Sequence, residues 1–153
     1  MQPVSAVAVF CEDIRQEQSG SDIIIGILPD TLNAVTEHTP GLPIFGKFGI
    51  YLRVHLDASL PPPKDISARL VLLPANVEVP LPGWDSKVIE AAFEGSRAND
   101  LPLVGLLLKA VSSPFPLREA GKIVAKVKVD GADYIAGQLN VAFVPPTASP
   151  PPS

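Results

Sequence analysis

Two imidazoles, His38 and His55, are the conventional bases available to activate a serine or cysteine nucleophile. His38 lies in a Thr/Pro-rich loop. His55 belongs to the row Tyr51, Arg53, His55 and Asp57, whose spacing of two puts all four on one strand face, able to line a shallow ligand site. A solvated strand face shows the same alternation. Cys11, the sole cysteine, sits in an apolar run beginning at Val4, the setting of a small buried hydrophobe rather than of a reactive thiol. No residue is assigned a catalytic role on these grounds.

Gly41-Leu42-Pro43-Ile44-Phe45-Gly46-Lys47 matches the first seven positions of a phosphate-binding loop, but Phe48 stands where a magnesium-holding Ser or Thr belongs. Pro43 removes a backbone donor, and a strand rather than a helix follows, so no helix N-terminus faces an anion. Zinc needs about four Cys or His ligands, and the chain has three such residues, none closely paired. Calcium is a sharper possibility, because Glu12, Asp13, Glu17 and Asp22 crowd the first turn, although no Asp-x-Asp or EF-hand spacing accompanies them. An acidic surface with Arg15 paired to one of these carboxylates accounts for the cluster. The reading therefore assigns no metal and no cofactor.

Partner contacts have three candidate sources. Lys122, Lys126 and Lys128 form a basic stripe that either attracts an acidic partner or guards an edge strand. Trp84, in Pro80-Leu81-Pro82-Gly83-Trp84-Asp85, either closes the end of the core or anchors a partner. The tail PPTASPPPS, residues 145–153, is expected to be extended and disordered, a possible ligand for an aromatic-lined groove.

The elements that must carry these residues are strands. The 153 residues suffice for one domain with a real core, and 18 prolines against a usual level of roughly 5% exclude a mainly helical protein. Ile123, Ala125, Val127 and Val129 alternate with Lys122, Lys126 and Lys128. Asp130-Gly131 then makes a tight turn, and Ile135, Leu139, Val141 and Phe143 alternate with Tyr134, Gln138 and Asn140. The same period marks Ile50 to Asp57, Ile66 to Leu72 and Ile89, Ala91 and Phe93. Val4 to Glu12, Ile23 to Leu28 and Val104 to Val111 are apolar on both faces or nearly so, as central or well-covered strands are. Proline- and glycine-rich turns separate these segments. About eight strands without a long helix give an all-β, antiparallel two-sheet β-sandwich over residues 1–144, held by side chains worth roughly 1.5–3 kcal/mol each on burial.

Phe10-Cys11-Glu12-Asp13-Ile14-Arg15-Gln16-Glu17, then Gly20 and Ile23-Ile24-Ile25-Gly26-Ile27, resembles the opening of a family of small uncharacterised bacterial proteins. Glu119-Ala120-Gly121-Lys122 leading into Val127 to Gly131 is similar to that family's closing hairpin, while Ser21 replaces its turn lysine. The resemblance covers about a third of the chain. It implies an immunoglobulin-like or similar sandwich and brings no activity.

Net charge −4 gives no electrostatic footprint for nucleic acid or an anionic membrane. The lone cysteine, the absence of a signal-peptide pattern and the short apolar runs fit a soluble cytoplasmic protein. The sequence thus points to a non-enzymatic binding or structural module acting on an unknown protein partner or on a second copy of itself. The alternative is a small-ligand or enzyme site around Tyr51, Arg53 and His55.

Overall fold

The computed structural model describes residues 4–35 and 43–144; His38, the first two positions of the phosphate-loop-like segment and the proline-rich tail lie outside them. The chain forms a sandwich of two sheets. One has four strands in the order β2 (Asp22–Ile27), β1 (Val4–Gln16), β4 (Phe48–Asp57), β7 (Leu103–Ser112). The other has five, β3 (Thr31–Val35), β9 (Ala132–Val144), β8 (Gly121–Val129), β5 (Ile66–Leu73), β6 (Val77–Pro80).

The alternating segments supply the core. Ile50, Leu52, Val54 and Leu56 of β4 face Ile123, Ala125 and Val127 of β8 and Ile66 and Leu70 of β5, all buried. One end is closed by aromatic rings: Phe48 stacks on Phe115 with centroids 4.3 Å apart, and Phe45 and Phe10 pack beside it at 5.1 and 5.7 Å. The sheets approach most closely where β9 crosses β1. A Cβ on Gly137 would lie 3.2 Å from the Ala8 carbonyl oxygen, so the absence of a side chain permits this approach.

The Asp130-Gly131 turn forms as its sequence predicts, with φ of 47° and 88°. It also clasps a second hairpin, because Asp130 Oδ1 accepts from the backbone amides of Lys64 (2.8 Å) and Asp65 (3.0 Å) at the entrance to β5.

Four expectations need correction. The five-stranded sheet is mixed, since β3 runs parallel to β9 with Thr31 opposite Asn140, so the sandwich is not wholly antiparallel. Ile89, Ala91 and Phe93 lie on a helix, α1 (Ser86–Ala98). Ala91 is exposed, and the buried positions Ile89, Phe93 and Ser96 follow the helical spacing of four and three. Asp85 starts this helix by accepting from the Val88 amide at 2.9 Å. Ile135 points outward and is 67% exposed, because the pairing shifts between Ala125–Gly137 and Lys126–Ile135. The extra residue, Ala136, reverses the faces and turns Tyr134 toward the core. Finally, β8 is the central strand of its sheet, so its lysines guard no edge.

Candidate functional site

The row Tyr51, Arg53, His55 and Asp57 projects from the outer face of β4, an inner strand of the four-stranded sheet. Pairing on either side fixes its neighbours. Tyr51 lies between Val9 and Lys109, Arg53 between Val7 and Leu107, and His55 between Ser5 and Gly105, while Asp57 is opposite Leu103. A Cβ on Gly105 would stand 3.9 Å from Cδ2 and Nε2 of His55, so the glycine leaves a shallow space beside the imidazole.

The upper end of this face is built by an irregularity in the first hairpin. Cys11 and Ile14 would ordinarily face opposite sides of β1, yet the Cys11 Sγ and Ile14 Cγ1 both lie against Gly49. Gly26, opposite this stretch on β2, has φ of 64°, a conformation that suits glycine. Cys11 is fully buried, and burial, followed by the charge of Asp13, raises its thiol above the ordinary range. Such a thiol is a poor nucleophile near neutral pH. Ser5 stands across from His55, but neither side chain makes a hydrogen bond among the described residues. The row therefore holds no assembled nucleophile and base.

Most of what surrounds the row is apolar. Val7 is 56% exposed, Leu103 52% and Leu107 41%, and Val111 and Ile27 are also exposed. The expectation that the apolar segments of β1 and β7 are covered on both faces is thus half met: one side of each packs on the core and the other lies open. Most of the charge on this face is already engaged. Lys109 donates to Asp22 at 2.7 Å, and Asp57 Oδ1 accepts from the Ser59 hydroxyl (2.6 Å) and amide (2.8 Å). The hydroxyl bond and then the amide bond hold the Asp57 carboxyl below its usual range. Arg53 makes no ion pair among the described residues. Asp57 also borders a depression of about 430 Å³ shared with Ser59, Arg97 and Asp100, which Tyr51, Arg53 and His55 do not line.

Lys122, Lys126 and Lys128 lie on the opposite side of the molecule, on the outer face of the five-stranded sheet. Arg69 joins them there. It donates to both carboxylate oxygens of Asp133 (3.1 and 3.0 Å) and to Glu78 (3.2 Å). The bond from Arg69 holds the Asp133 carboxyl low, with further help from the charges of Lys128 and Lys126. The stripe is thus part of a mixed-charge lattice. Trp84 stands apart from it, packing against the core while its Nε1 donates to the Leu107 carbonyl at 3.1 Å on the edge of β7.

In the acidic first hairpin two carboxylates are paired with cationic side chains. Asp13 is held by Lys47 (2.9 Å) and Arg15 (3.3 Å), and the hydrogen bond from Lys47 is the chief reason its carboxyl titrates low. Asp22 is bound to Lys109. No group of three metal-ligating side chains comes together among the described residues. Lys47, the last residue of the phosphate-loop-like segment, is likewise committed to Asp13.

No helix among the described residues is long and apolar enough to cross a membrane. No protein-family model matches the chain, and no curated protein is significantly similar to it.

Proposed function

We propose that this chain is a non-enzymatic protein-binding module of the cytoplasm whose contact surface is the outer face of the four-stranded sheet. One observation carries the reading. Residues 4–11 of β1 and 103–108 of β7 are largely apolar on both faces, and the described chain covers one of them while Val7, Leu103 and Leu107 stay exposed on the other. An apolar sheet face left in water is unfavourable at roughly 25 cal/mol per Å², so a sequence that maintains one is built for a surface to be placed on it. The row on β4 gives that surface a polar centre, and the absence of an assembled nucleophile and base supports binding over catalysis. Cys11, buried and without a second cysteine, suits a reducing compartment.

A photo-crosslinking residue at Leu107, compared with one at Lys122 on the opposite face, tests this. Capture of a protein, another copy included, at position 107 and its loss on Val7→Lys is the expected result. Equal capture at both positions, or none at either, refutes the reading.

A further inference from the structure

We infer that the partner meets this face with an amphipathic helix whose apolar stripe carries one carboxylate, seated over Arg53. The inference rests on the protein-binding reading above and names the chemistry of the partner.

Position is the first argument. β4 runs between β1 and β7, and Arg53 stands at the middle of its outward row, level with Val7 on one side and Leu107 on the other. Both of these neighbours are exposed, and so is the arginine. Any surface that covers the two apolar side chains also covers the guanidinium between them. A purely apolar surface would leave that charge buried and unpaired, which is costly.

Charge is the second. The carboxylates placed on this face are already held. Asp57 lies four residues along β4 from Arg53, about 13.6 Å at about 3.4 Å per residue, and accepts from Ser59. Asp22 is bound to Lys109. Lys109, diagonal to Arg53 across the pairing of β4 with β7, brings a further positive charge to the same side. A carboxylate carried by the partner therefore meets the guanidinium without a competitor, in a charge-assisted, two-pronged hydrogen bond.

Spacing selects the element that carries it. Val7 and Leu107 lie one strand to either side of Arg53, so their backbones are about 9.6 Å apart with the charge midway. On a helix, apolar residues seven apart are separated by about 10.5 Å and share a face with the residue three or four positions from each. On an extended strand, three successive residues of one face span about 13.6 Å and overshoot the row. A helix with an apolar residue, a carboxylate and a second apolar residue at spacings of four and three matches Val7, Arg53 and Leu107 in order and in length.

Helical peptides of defined sequence test the inference by nuclear magnetic resonance titration of the full chain. The probe is a capped alanine-glutamine helix carrying one glutamate, with a leucine four residues before it and another three residues after it. Its controls carry glutamine or lysine in place of the glutamate. The glutamate peptide is expected to shift the amides of Arg53 and Leu107 and to bind about tenfold or more tightly than the glutamine peptide. Arg53→Glu should reverse the order, so that the lysine peptide binds best, and Leu107→Ser should weaken all three. Circular dichroism melts establish that each variant is folded. Equal affinity for the glutamate and glutamine peptides, an order unmoved by Arg53→Glu, or no binding of any peptide overturns the inference. A wild type that dimerises through this face in sedimentation overturns it as well. If position 107 still captures a protein after such a result, the protein-binding reading stands without the helix. If it captures nothing, both fail.

Discussion

Replacing Gly49 by alanine puts a methyl group into a tight, buried point of the four-stranded sheet. Its Cβ would lie 2.8 Å from Cys11 Sγ, with Ile14 Cγ1 at 3.5 Å and the Cys11 carbonyl oxygen at 3.6 Å closing the other directions. Carbon and sulfur normally touch at about 3.7 Å, so the overlap is nearly an ångström, and such overpacking costs about 1–3 kcal/mol. Cys11 cannot turn aside, being fully buried and paired directly with Gly49 across β1 and β4. Alanine's better strand propensity offsets about 0.5–1 kcal/mol, which leaves a net loss of about 1–2 kcal/mol. Cys11→Ala alone should cost about 1 kcal/mol, through a small void. In the double variant the new methyl occupies the space the sulfur has left, so the combined loss should fall short of the sum by about 1 kcal/mol or more. Urea unfolding followed by far-ultraviolet circular dichroism measures all four corners of this cycle. Gly46→Ala, where a Cβ meets nothing within 4 Å, is the control and should change little. Strict additivity of the two losses, or a Gly49→Ala variant as stable as wild type, would refute the argument.

At the turn between β8 and β9, Asp130→Ala loses the acceptor for the Lys64 and Asp65 amides and forces alanine into a positive φ. It should cost about 2 kcal/mol, against about 1 kcal/mol for Asp130→Gly, which suffers only the first loss; equal losses in urea would contradict this. Because the bond from Arg69 depresses the Asp133 carboxyl, its stabilising effect is present above the ordinary carboxyl value of 3.8 and disappears as pH falls through the lower folded value. The melting temperature of wild type should therefore fall more steeply than that of Asp133→Asn below about pH 4, and parallel profiles would remove Asp133 from the acid response.

How much of this was legible in the sequence depended on whether a feature is written locally. The hairpin around Asp130-Gly131 was, because Lys122, Lys126 and Lys128 mark one face and the turn residues fix the pairing. The outward swing of Ile135 was not, since one inserted residue reverses every later face without changing the composition. Period-2 reading of Ile89, Ala91 and Phe93 failed because positions four apart satisfy strand and helix patterns alike. Asp85 before the run, and Ser96 three residues after Phe93, were the available helical signals. The short strand β3 depends on a neighbour distant in the chain, as the parallel match of Thr31 with Asn140 shows. For the site, spacing alone placed Tyr51, Arg53, His55 and Asp57 on one face. That much of β1 and β7 is apolar on both sides was equally visible, but such a pattern demands cover without saying whether the same chain provides it.

The indole of Trp84 on the Leu107 carbonyl bears on how far association can proceed. A sheet grows into a fibre when it has two open margins, so that each molecule added at one leaves another waiting. In the four-stranded sheet, β7 has its outward row interrupted at mid-strand by this indole, and α1 packs along the same strand. The other margin of this sheet is β2. The single tryptophan thus takes up the Leu107 carbonyl in the middle of the β7 edge, so a strand added along β7 would have to displace the indole to pair at that position.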